Sequence, residues 1–271
     1  MDPIYTHVGT ILAGDNRFLG HSVYEEWISI VKGPEDPLLR VLGVKELNSL
    51  NREVFRLLSL CVISSDARVW PLKLTRLLSS WGNPLVGYLG SQLVATSNVM
   101  GPGATTNAAK CLQFVNKTIG SCFSTEAIKS AIEEWICKTG MPLAGFGVPF
   151  RGIDERRAAL LHFVGNGPIS KRAYWQLHEK IVLAQSPVPP NCILSFAAML
   201  LDAGVPAERC GFAVTVFMSH VFLAHAIEAA TIDGVRLNAW SKEQVKYDGT
   251  SARITNDGTR GKVNHALKRV L

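Results

Sequence analysis

The sequence predicts an all-α globular protein, and three observations support this class. Apolar residues recur at helical spacing through most of the 271-residue chain. Short connections that contain Gly or Pro separate the periodic segments. Strand signals are few, although residues 243–247 and 252–255, joined through Asp248-Gly249, could form one small C-terminal hairpin. We therefore expect helices packed on helices around one core.

The predicted helices follow one another in chain order, each with its own signals. The first places Leu50, Val54 and Leu58 on one face. Pro71 suits the first turn of the second helix. In the fifth, Ser124 can cap the start and Gly140 can end the helix. The predicted ranges are residues 46–63, 72–80, 84–97, 105–116, 124–139, 154–165, 170–185, 191–203 and 207–231.

Two segments rich in Gly and Pro, residues 98–103 and 185–191, predict a division into two lobes. Residues 1–100 and 190–271 would form a large helical subdomain, and residues 101–189 a small one. A cleft between two helical lobes is a common place for a ligand. We expect the functional site there.

Composition excludes several classes of protein. Hydrophobic residues make up 47% of the chain and charged residues 18%, which excludes a disordered protein. The net charge of +6 permits an anionic ligand, but the basic residues are scattered, so nucleic acid is not a predicted partner. The exception is the C-terminal tail, which is either solvated or binds an anion or partner. Its basic residues are Arg253, Arg260, Lys262, Lys268 and Arg269.

The cysteine pattern and the apolar runs predict a cytoplasmic protein that is not bound to a membrane. None of the six cysteines forms a Cys-x-x-Cys pair, so we interpret them as reduced core residues and expect neither a disulfide frame nor a metal site. The N-terminus lacks the pattern of a signal peptide. The apolar run 212–230 is interrupted by His220, His225 and Glu228, so no membrane span is predicted.

Gly145-Phe146-Gly147 has the pattern of a tight turn that positions the next side chain. That next residue is Val148, which cannot move a proton. Asp154-Glu155-Arg156 follows shortly after the turn. The chain therefore has a turn typical of a functional site, but the residue that this turn positions is apolar.

Several motifs occur in an order that resembles the citrate synthase and citryl-CoA lyase superfamily, across residues 16–249. Each motif is short, and their collinearity carries the resemblance. It implies a citrate-synthase-like, two-lobed helical fold. The motifs are Arg76 with Ser79-Ser80, Gly145-Phe146-Gly147, Asp154-Glu155-Arg156, Pro190-Asn191 with Gly204-Val205-Pro206, and Leu223-Ala224-His225 with Glu228.

The resemblance also implies that the family's acid–base residues are missing. In the family an aspartate removes a proton beside a thioester carbonyl, one histidine stabilises the enol, and a second histidine polarises the carbonyl under attack. The first histidine falls on Met100 or Gly101, the second on Val148, and the aspartate on Ile193. We expect these residues to line one apolar cleft and standard citrate synthase turnover to be absent.

Some groups that could bind substrate persist at family positions. Arg156 matches an arginine that grips a carboxylate, although Arg157 could fill this role because the spacing from the turn is one residue shorter. Lys242 matches a second carboxylate-binding arginine. Asp66 falls near a substrate-contacting histidine and is the candidate catalytic base, with Arg68 or Lys73 to neutralise it.

Structural interpretations of the same residues stay open. Arg156 and Arg157 could be solvated charges in the first turn of a helix, and Asp66 a helix-start or loop residue. His225 could be a buried core histidine, with Glu228 on the same helix face as its partner. The predicted helix 84–97 has small residues suited to close packing. The resemblance implies that it lies in a homodimer interface, and packing inside the chain is the alternative.

These observations favour a diverged family member that acts at a carbon–carbon bond of an acyl-CoA or an oxo-acid or polycarboxylate substrate, as an acyltransferase or lyase. No cofactor is predicted, although a coenzyme A thioester is a possible substrate. The alternative is a non-catalytic pseudoenzyme that binds an anionic ligand or a catalytic paralogue. A lyase or isomerase of a polycarboxylate without CoA is a third possibility.

Overall fold

The computed structural model of the chain describes residues 6–12, 14–63, 69–81, 83–95, 101–148, 152–232 and 243–244. Met1–Val235 forms one compact unit. Arg236–Leu271 forms a second unit, in which only the exposed Glu243 and Gln244 are described. The predicted C-terminal hairpin and basic tail lie outside the described residues, and the division into two lobes stays a prediction.

The described residues are mainly helical, which confirms the all-α fold class. The predicted helices correspond to α3–α11 below, with ends that differ by a few residues. The structure adds α1, α2 and a short π-helical segment, Val23–Trp27, that leads into α1. The helices are α1 Ile28–Ile30, α2 Glu35–Val41, α3 Ser49–Cys61, α4 Trp70–Ser79, α5 Pro84–Ala95, α6 Gly101–Ile119, α7 Thr125–Thr139, α8 Glu155–Val164, α9 Ala173–Ala184, α10 Cys192–Asp202 and α11 Cys210–Ala229.

A small antiparallel sheet near the N-terminus was not predicted. Its strands are β1 Gly9–Leu12, β2 Asp15–Phe18 and β3 His21–Ser22, in the order β1-β2-β3. The indole Nε1 of the buried Trp27 donates a hydrogen bond to the Phe18 carbonyl at 2.9 Å. This bond ties the sheet to the helical segment that follows it.

The core is centred on α10, which packs against α6 and α9. Every residue from Leu194 to Leu201 is buried. A helix that is apolar on all sides must be surrounded by other elements, so this sequence is suited to the middle of a helical globule. The N-terminus of α10 carries Asn191, Cys192 and Ile193, and therefore brings the predicted site to the core.

The small residues of α5 face α4 inside the chain. A Cβ at Gly87 would overlap the Ser79 hydroxyl and lie 2.7 Å from the Thr75 carbonyl oxygen. The buried Ser91 and Thr75 hydroxyls are 2.6 Å apart. Packing within the chain therefore explains the small residues of α5, which was the alternative to a homodimer interface. The outer face of α5 is apolar and exposed at Leu85 (59%), Leu89 (51%) and Leu93 (80%).

By length and composition alone, Ala207–Ala229 could cross a membrane, with a mean hydropathy of 1.7. This is a weak indication, because central helices of globular proteins meet the same criteria. In this protein α11 buries residues such as Val214, Phe217 and Phe222 and packs against α4, α5 and α6. We therefore describe it as a core helix.

The six cysteines are all free. Cys111, Cys192 and Cys210 are buried, as expected for core residues. The prediction is wrong for Cys122 and Cys137, which are exposed. Cys122 lies in the connection between α6 and α7, and Cys137 lies on the exposed side of α7, so their surroundings in the sequence did not imply burial.

Candidate functional site

The turn at Gly145-Phe146-Gly147 packs directly onto the first turn of α10. Gly145 has a φ of 106° and Gly147 a φ of 82°, a region that favours glycine. A Cβ at Gly145 would lie 2.5 Å from the Cβ and 2.9 Å from the backbone nitrogen of Leu194. The first glycine therefore permits a close approach of the backbone to α10, and the second has open space around it.

Asn191 holds the turn to the start of α10. Its side-chain nitrogen donates to the carbonyl oxygens of Gly147 at 3.0 Å and Phe146 at 3.3 Å. Its Oδ1 accepts from the backbone N–H of Ile193 at 2.9 Å and caps the helix. Its own N–H donates to the Gly145 carbonyl at 2.8 Å. One half-buried residue thus brings the backbone before Val148 next to that of Ile193.

Asp154 joins α8 to α10 beside this turn. It caps α8 by accepting from the Arg156 N–H at 3.1 Å, and its Oδ2 also accepts from the Cys192 N–H at 2.9 Å. Burial raises the pKa of Asp154, but the Arg156 guanidinium and these N–H groups outweigh it and lower the pKa to about 2. The carboxylate is therefore ionised and fully hydrogen-bonded, which makes it unsuitable as a general base.

The two neighbouring arginines have different surroundings. Arg156 donates from Nε and Nη2 to the Asp154 carboxylate, both at 2.9 Å, and its side chain is 42% exposed. The Nε of Arg157 is buried without a hydrogen-bond partner. Burial lowers the pKa of Arg157, although the negative charges of Glu179 and Asp154 act in the opposite direction. Arg156 is thus neutralised by the protein, whereas Arg157 is not.

A cavity of about 150 Å³ lies beside Arg157. Asp154 and Arg157 contribute its charged groups, and Ile153, Leu161 and Pro190 part of its apolar wall. Phe146 and Pro190 form a β-bridge, so this wall is continuous with the turn. A larger groove of about 540 Å³ lies between α8 and α9 and shares Leu161 with the cavity.

His178 and Ser195 form a buried pair between α9 and α10 that no motif indicated. The imidazole Nε2 lies 3.0 Å from the Ser195 hydroxyl, and Nδ1 lies 3.2 Å from the Trp175 carbonyl. Burial, aided by the charge of Arg157, lowers the pKa of His178 to about 4. The pair is fully enclosed, so it is a neutral structural link. Its only sequence signal is that His178 shares an inward helix face with Trp175 and Ile181.

The structure describes only part of the predicted site. Val148 and Ile193 are half-buried, and Asn191 places their backbones close together. Gly101 begins α6, and Asn107 of that helix donates to the Pro142 carbonyl at 3.1 Å, just before the turn. That these residues line one ligand cleft stays a prediction. Asp66, Arg68, Met100 and Lys242 lie outside the described residues.

His225 is not the buried core histidine that the structural alternative proposed. It is half-buried on α11, and its Nδ1 lies 3.4 Å from Nη1 of Arg76. Arg76 also pairs with Glu228. The three side chains therefore form a link between α4 and α11 at the surface. Within the described part of the chain, no group of three or more His, Cys, Asp or Glu residues could hold a metal ion.

Comparisons with known proteins support the fold. Citryl-CoA lyase from Hydrogenobacter thermophilus matches with a TM-score of 0.69 and 17% identity, covering 93% of this chain and 97% of that one. ATP citrate lyase from Methanothrix soehngenii, solved with citrate and coenzyme A, matches with a TM-score of 0.69 and 13% identity. That match covers 93% of this chain and 42% of the larger enzyme.

A mutant ATP citrate lyase from Methanosaeta concilii, in complex with (3S)-citryl-CoA, matches with a TM-score of 0.68 and 13% identity. No protein-family model and no curated protein matches the sequence. At these identities the similarity shows the fold alone. The protein therefore has a citrate-lyase-like helical fold, and the predicted resemblance is confirmed at that level.

Proposed function

We propose that this protein is a diverged citryl-CoA-lyase-like protein that acts at a carbon–carbon bond of an anionic acyl-CoA, oxo-acid or polycarboxylate. The observation that supports it is the built turn at residues 145–147, held against α10 by Asn191 with cationic side chains beside it. The chemistry would proceed without the acid–base groups that the family uses at the positions of Val148 and Ile193. We expect a cytoplasmic protein without a cofactor, with a CoA thioester as a possible substrate.

In this proposal Asp66 is the catalytic base, and Arg68 and Lys242 stabilise negative charge on the substrate, together with the exposed part of Arg156 that Asp154 does not occupy. Among the described residues, the two titratable groups Asp154 and His178, which contact α10, do not suit proton transfer near neutral pH. Asp154 has a pKa of about 2, and His178 is buried with a pKa of about 4. We therefore assign proton transfer to Asp66 in this proposal.

A second candidate is a non-catalytic protein that binds an anionic ligand or a catalytic paralogue. The observation that favours it is the apolar character of Val148 and Ile193 at the place where the family carries acid–base residues. The enzyme and the ligand-binding form of the second candidate both require an anionic ligand, so binding and turnover must be measured separately.

The first experiment measures ligand binding by thermal shift, using CoA, citryl-CoA, other acyl-CoAs, and di- and tricarboxylates without CoA. A ligand that binds the native state raises its melting temperature by mass action. Cleavage of a stabilising thioester that is lost in Asp66→Asn would support the enzyme, and binding without turnover would support the second candidate. Stabilisation by polycarboxylates alone would favour CoA-free chemistry. No stabilisation by any of these compounds would contradict the enzyme and the ligand-binding pseudoenzyme, and would leave the form that binds a catalytic paralogue.

Condensation of acetyl-CoA with oxaloacetate should be absent. Each acid–base group contributes about 100- to 10,000-fold to such a reaction, and the positions inherited from the family carry none here. A spectrophotometric assay of CoA release checks this expectation. A turnover of about 1 per second or more would show that other residues replace the missing groups efficiently.

We also propose a homodimer formed through the outer face of α5. This helix contains no charged residue, and Leu85, Leu89 and Leu93 expose apolar surface on one side. A symmetric contact would bury this face on both subunits. We expect the double substitution Leu89→Lys with Leu93→Lys to shift a dimer to a monomer in light scattering at micromolar concentration.

The matched control for the dimer is Leu183→Lys on α9, which places lysine at a leucine that is 75% exposed elsewhere. It should leave the mass unchanged. A monomeric wild-type protein at micromolar concentration would refute the dimer. So would a dimer that the double substitution leaves intact.

A further inference from the structure

Arg157 is a half-buried cation that its protein surroundings do not satisfy. Its Nε is buried without a hydrogen-bond partner, and the described residues provide no hydrogen bond or ion pair to its guanidinium. Arginine cannot lose its proton in a protein to avoid this cost. Unpaired buried polar groups are rare in native proteins, and those that occur are often sites where an ion, a water molecule or a ligand binds.

The nearby acidic groups do not neutralise Arg157. Asp154 is occupied by Arg156 and by the Cys192 N–H. Glu179 on α9 attracts Arg157 but is exposed to solvent. Burial remains the dominant influence and lowers the pKa of Arg157. The positive charge of Arg157 is therefore available to an anion from outside the chain.

The cavity beside Arg157 indicates what kind of anion fits. Its volume is about 150 Å³, and the exposed Ile153 and Ala158 at its edge leave it open to solvent, so it admits a small molecule. The apolar wall includes Ile153, Leu161, Pro189 and Pro190. A small acid with a short aliphatic chain can place its carboxylate on Arg157 and its carbon atoms against this wall. Phosphate has no apolar part, and the negative charge of Asp154 disfavours a dianion.

We propose that this cavity binds a short-chain monocarboxylate, with the Arg157 guanidinium as the group that holds its carboxylate. This site goes beyond the proposed function, because neither candidate uses Arg157 or assigns a ligand to this cavity. Arg156, the other candidate for the family's carboxylate-binding arginine, is paired with Asp154 and does not line this cavity. Planar guanidinium groups bind carboxylates with directional hydrogen bonds, so lysine is a poor replacement.

The experiment titrates the full-length protein with sodium acetate, propionate, butyrate or phosphate at constant ionic strength, followed by saturation-transfer NMR and thermal shift. We expect propionate or butyrate to bind at least tenfold more tightly than phosphate. Arg157→Gln should weaken the binding at least tenfold, and Arg157→Lys should weaken it less. Arg56→Gln, which removes an exposed arginine from α3, is the matched charge control and should leave the affinity unchanged.

A second variant tests the cavity itself. Ala158 lines the cavity from an exposed position on α8, so Ala158→Leu should fill the space while Arg157 stays in place. We expect this variant to lose monocarboxylate binding as well. Without ligand, Arg157→Gln should melt no lower than the wild type, because it removes an unsatisfied charge. A markedly lower melting temperature would show a structural arginine instead and overturn the proposal.

The proposal is also overturned if no monocarboxylate binds, if phosphate binds equally well, or if Ala158→Leu leaves the affinity unchanged. These results leave the proposed function untouched, because that is tested with CoA thioesters and polycarboxylates. Conversely, monocarboxylate binding that depends on Arg157 would stand even if every thioester and polycarboxylate failed to bind.

Discussion

Gly145→Ala should lower the free energy of unfolding by about 3 kcal/mol, from backbone strain and overpacking together. The φ of 106° at this position is one that residues with a side chain rarely adopt. The added Cβ would also lie 2.5 Å from the Cβ of Leu194 and 2.9 Å from its backbone nitrogen. These atoms belong to the central helix α10, so they cannot move aside without disturbing the core. Chemical denaturation of the variant and the wild type measures the difference.

Gly147→Ala is the matched control for this substitution. Gly147 also has a positive φ, 82°, but an added Cβ there would meet no atom within 4 Å. The expected loss is therefore only the backbone cost of about 1–2 kcal/mol. Equal losses in the two variants would show that the close approach of the turn to α10 does not limit stability. The description of the turn as packed on α10 would then be wrong.

Asp154→Ala should lower the free energy of unfolding by about 3 kcal/mol. Loss of the helix cap of α8 contributes about 1 kcal/mol, and the Cys192 N–H left without a partner contributes about 1–3 kcal/mol. Arg156 adds little, because its side chain is 42% exposed and regains water. The variant should also lose part of any ligand binding at the turn, since α8 and α10 would no longer be joined there. Denaturation and ligand titration measure the two effects.

Asp154 should also make stability depend on pH in the acid range. Its pKa falls from 3.8 to about 2 on folding, and this difference corresponds to about 2–3 kcal/mol at about 1.4 kcal/mol per pKa unit. A carboxyl with a depressed folded pKa stabilises the protein above its unfolded pKa and loses this contribution as the pH falls through its folded pKa. The stability advantage of the wild type over Asp154→Asn should therefore shrink between about pH 4 and pH 2.

The control for the pH experiment is Glu126→Gln, at an exposed position in the first turn of α7. Its stability difference from the wild type should stay within about 0.5 kcal/mol over the same range. A difference between wild type and Asp154→Asn that does not change between pH 5 and pH 2 would mean that the ionised carboxylate of Asp154 contributes nothing to the native state.

The helical fold follows largely from the sequence, because helical periodicity and caps depend on neighbours a few residues apart. Segments α3–α11 are long enough for this pattern to recur. The short helices α1 and α2 and the N-terminal sheet are not, and Pro37 in the first turn of α2 further obscured the signal. In the sheet, β1 and β2 have four residues each and β3 has two. Such strands are held by partners across a turn, which a short window does not detect.

At the candidate site, motif order located the turn, Asp154 and the two arginines, whereas their roles depended on tertiary contacts. The sequence left open which arginine could bind an anion. The structure pairs Arg156 with Asp154 and leaves Arg157 beside a cavity. It also shows that Asn191 bonds to Gly147, 44 residues away, and that Cys192 bonds to Asp154, 38 residues away. Hydrogen bonds between residues so far apart in sequence form only when the tertiary fold brings those residues together, so tertiary structure alone decided them.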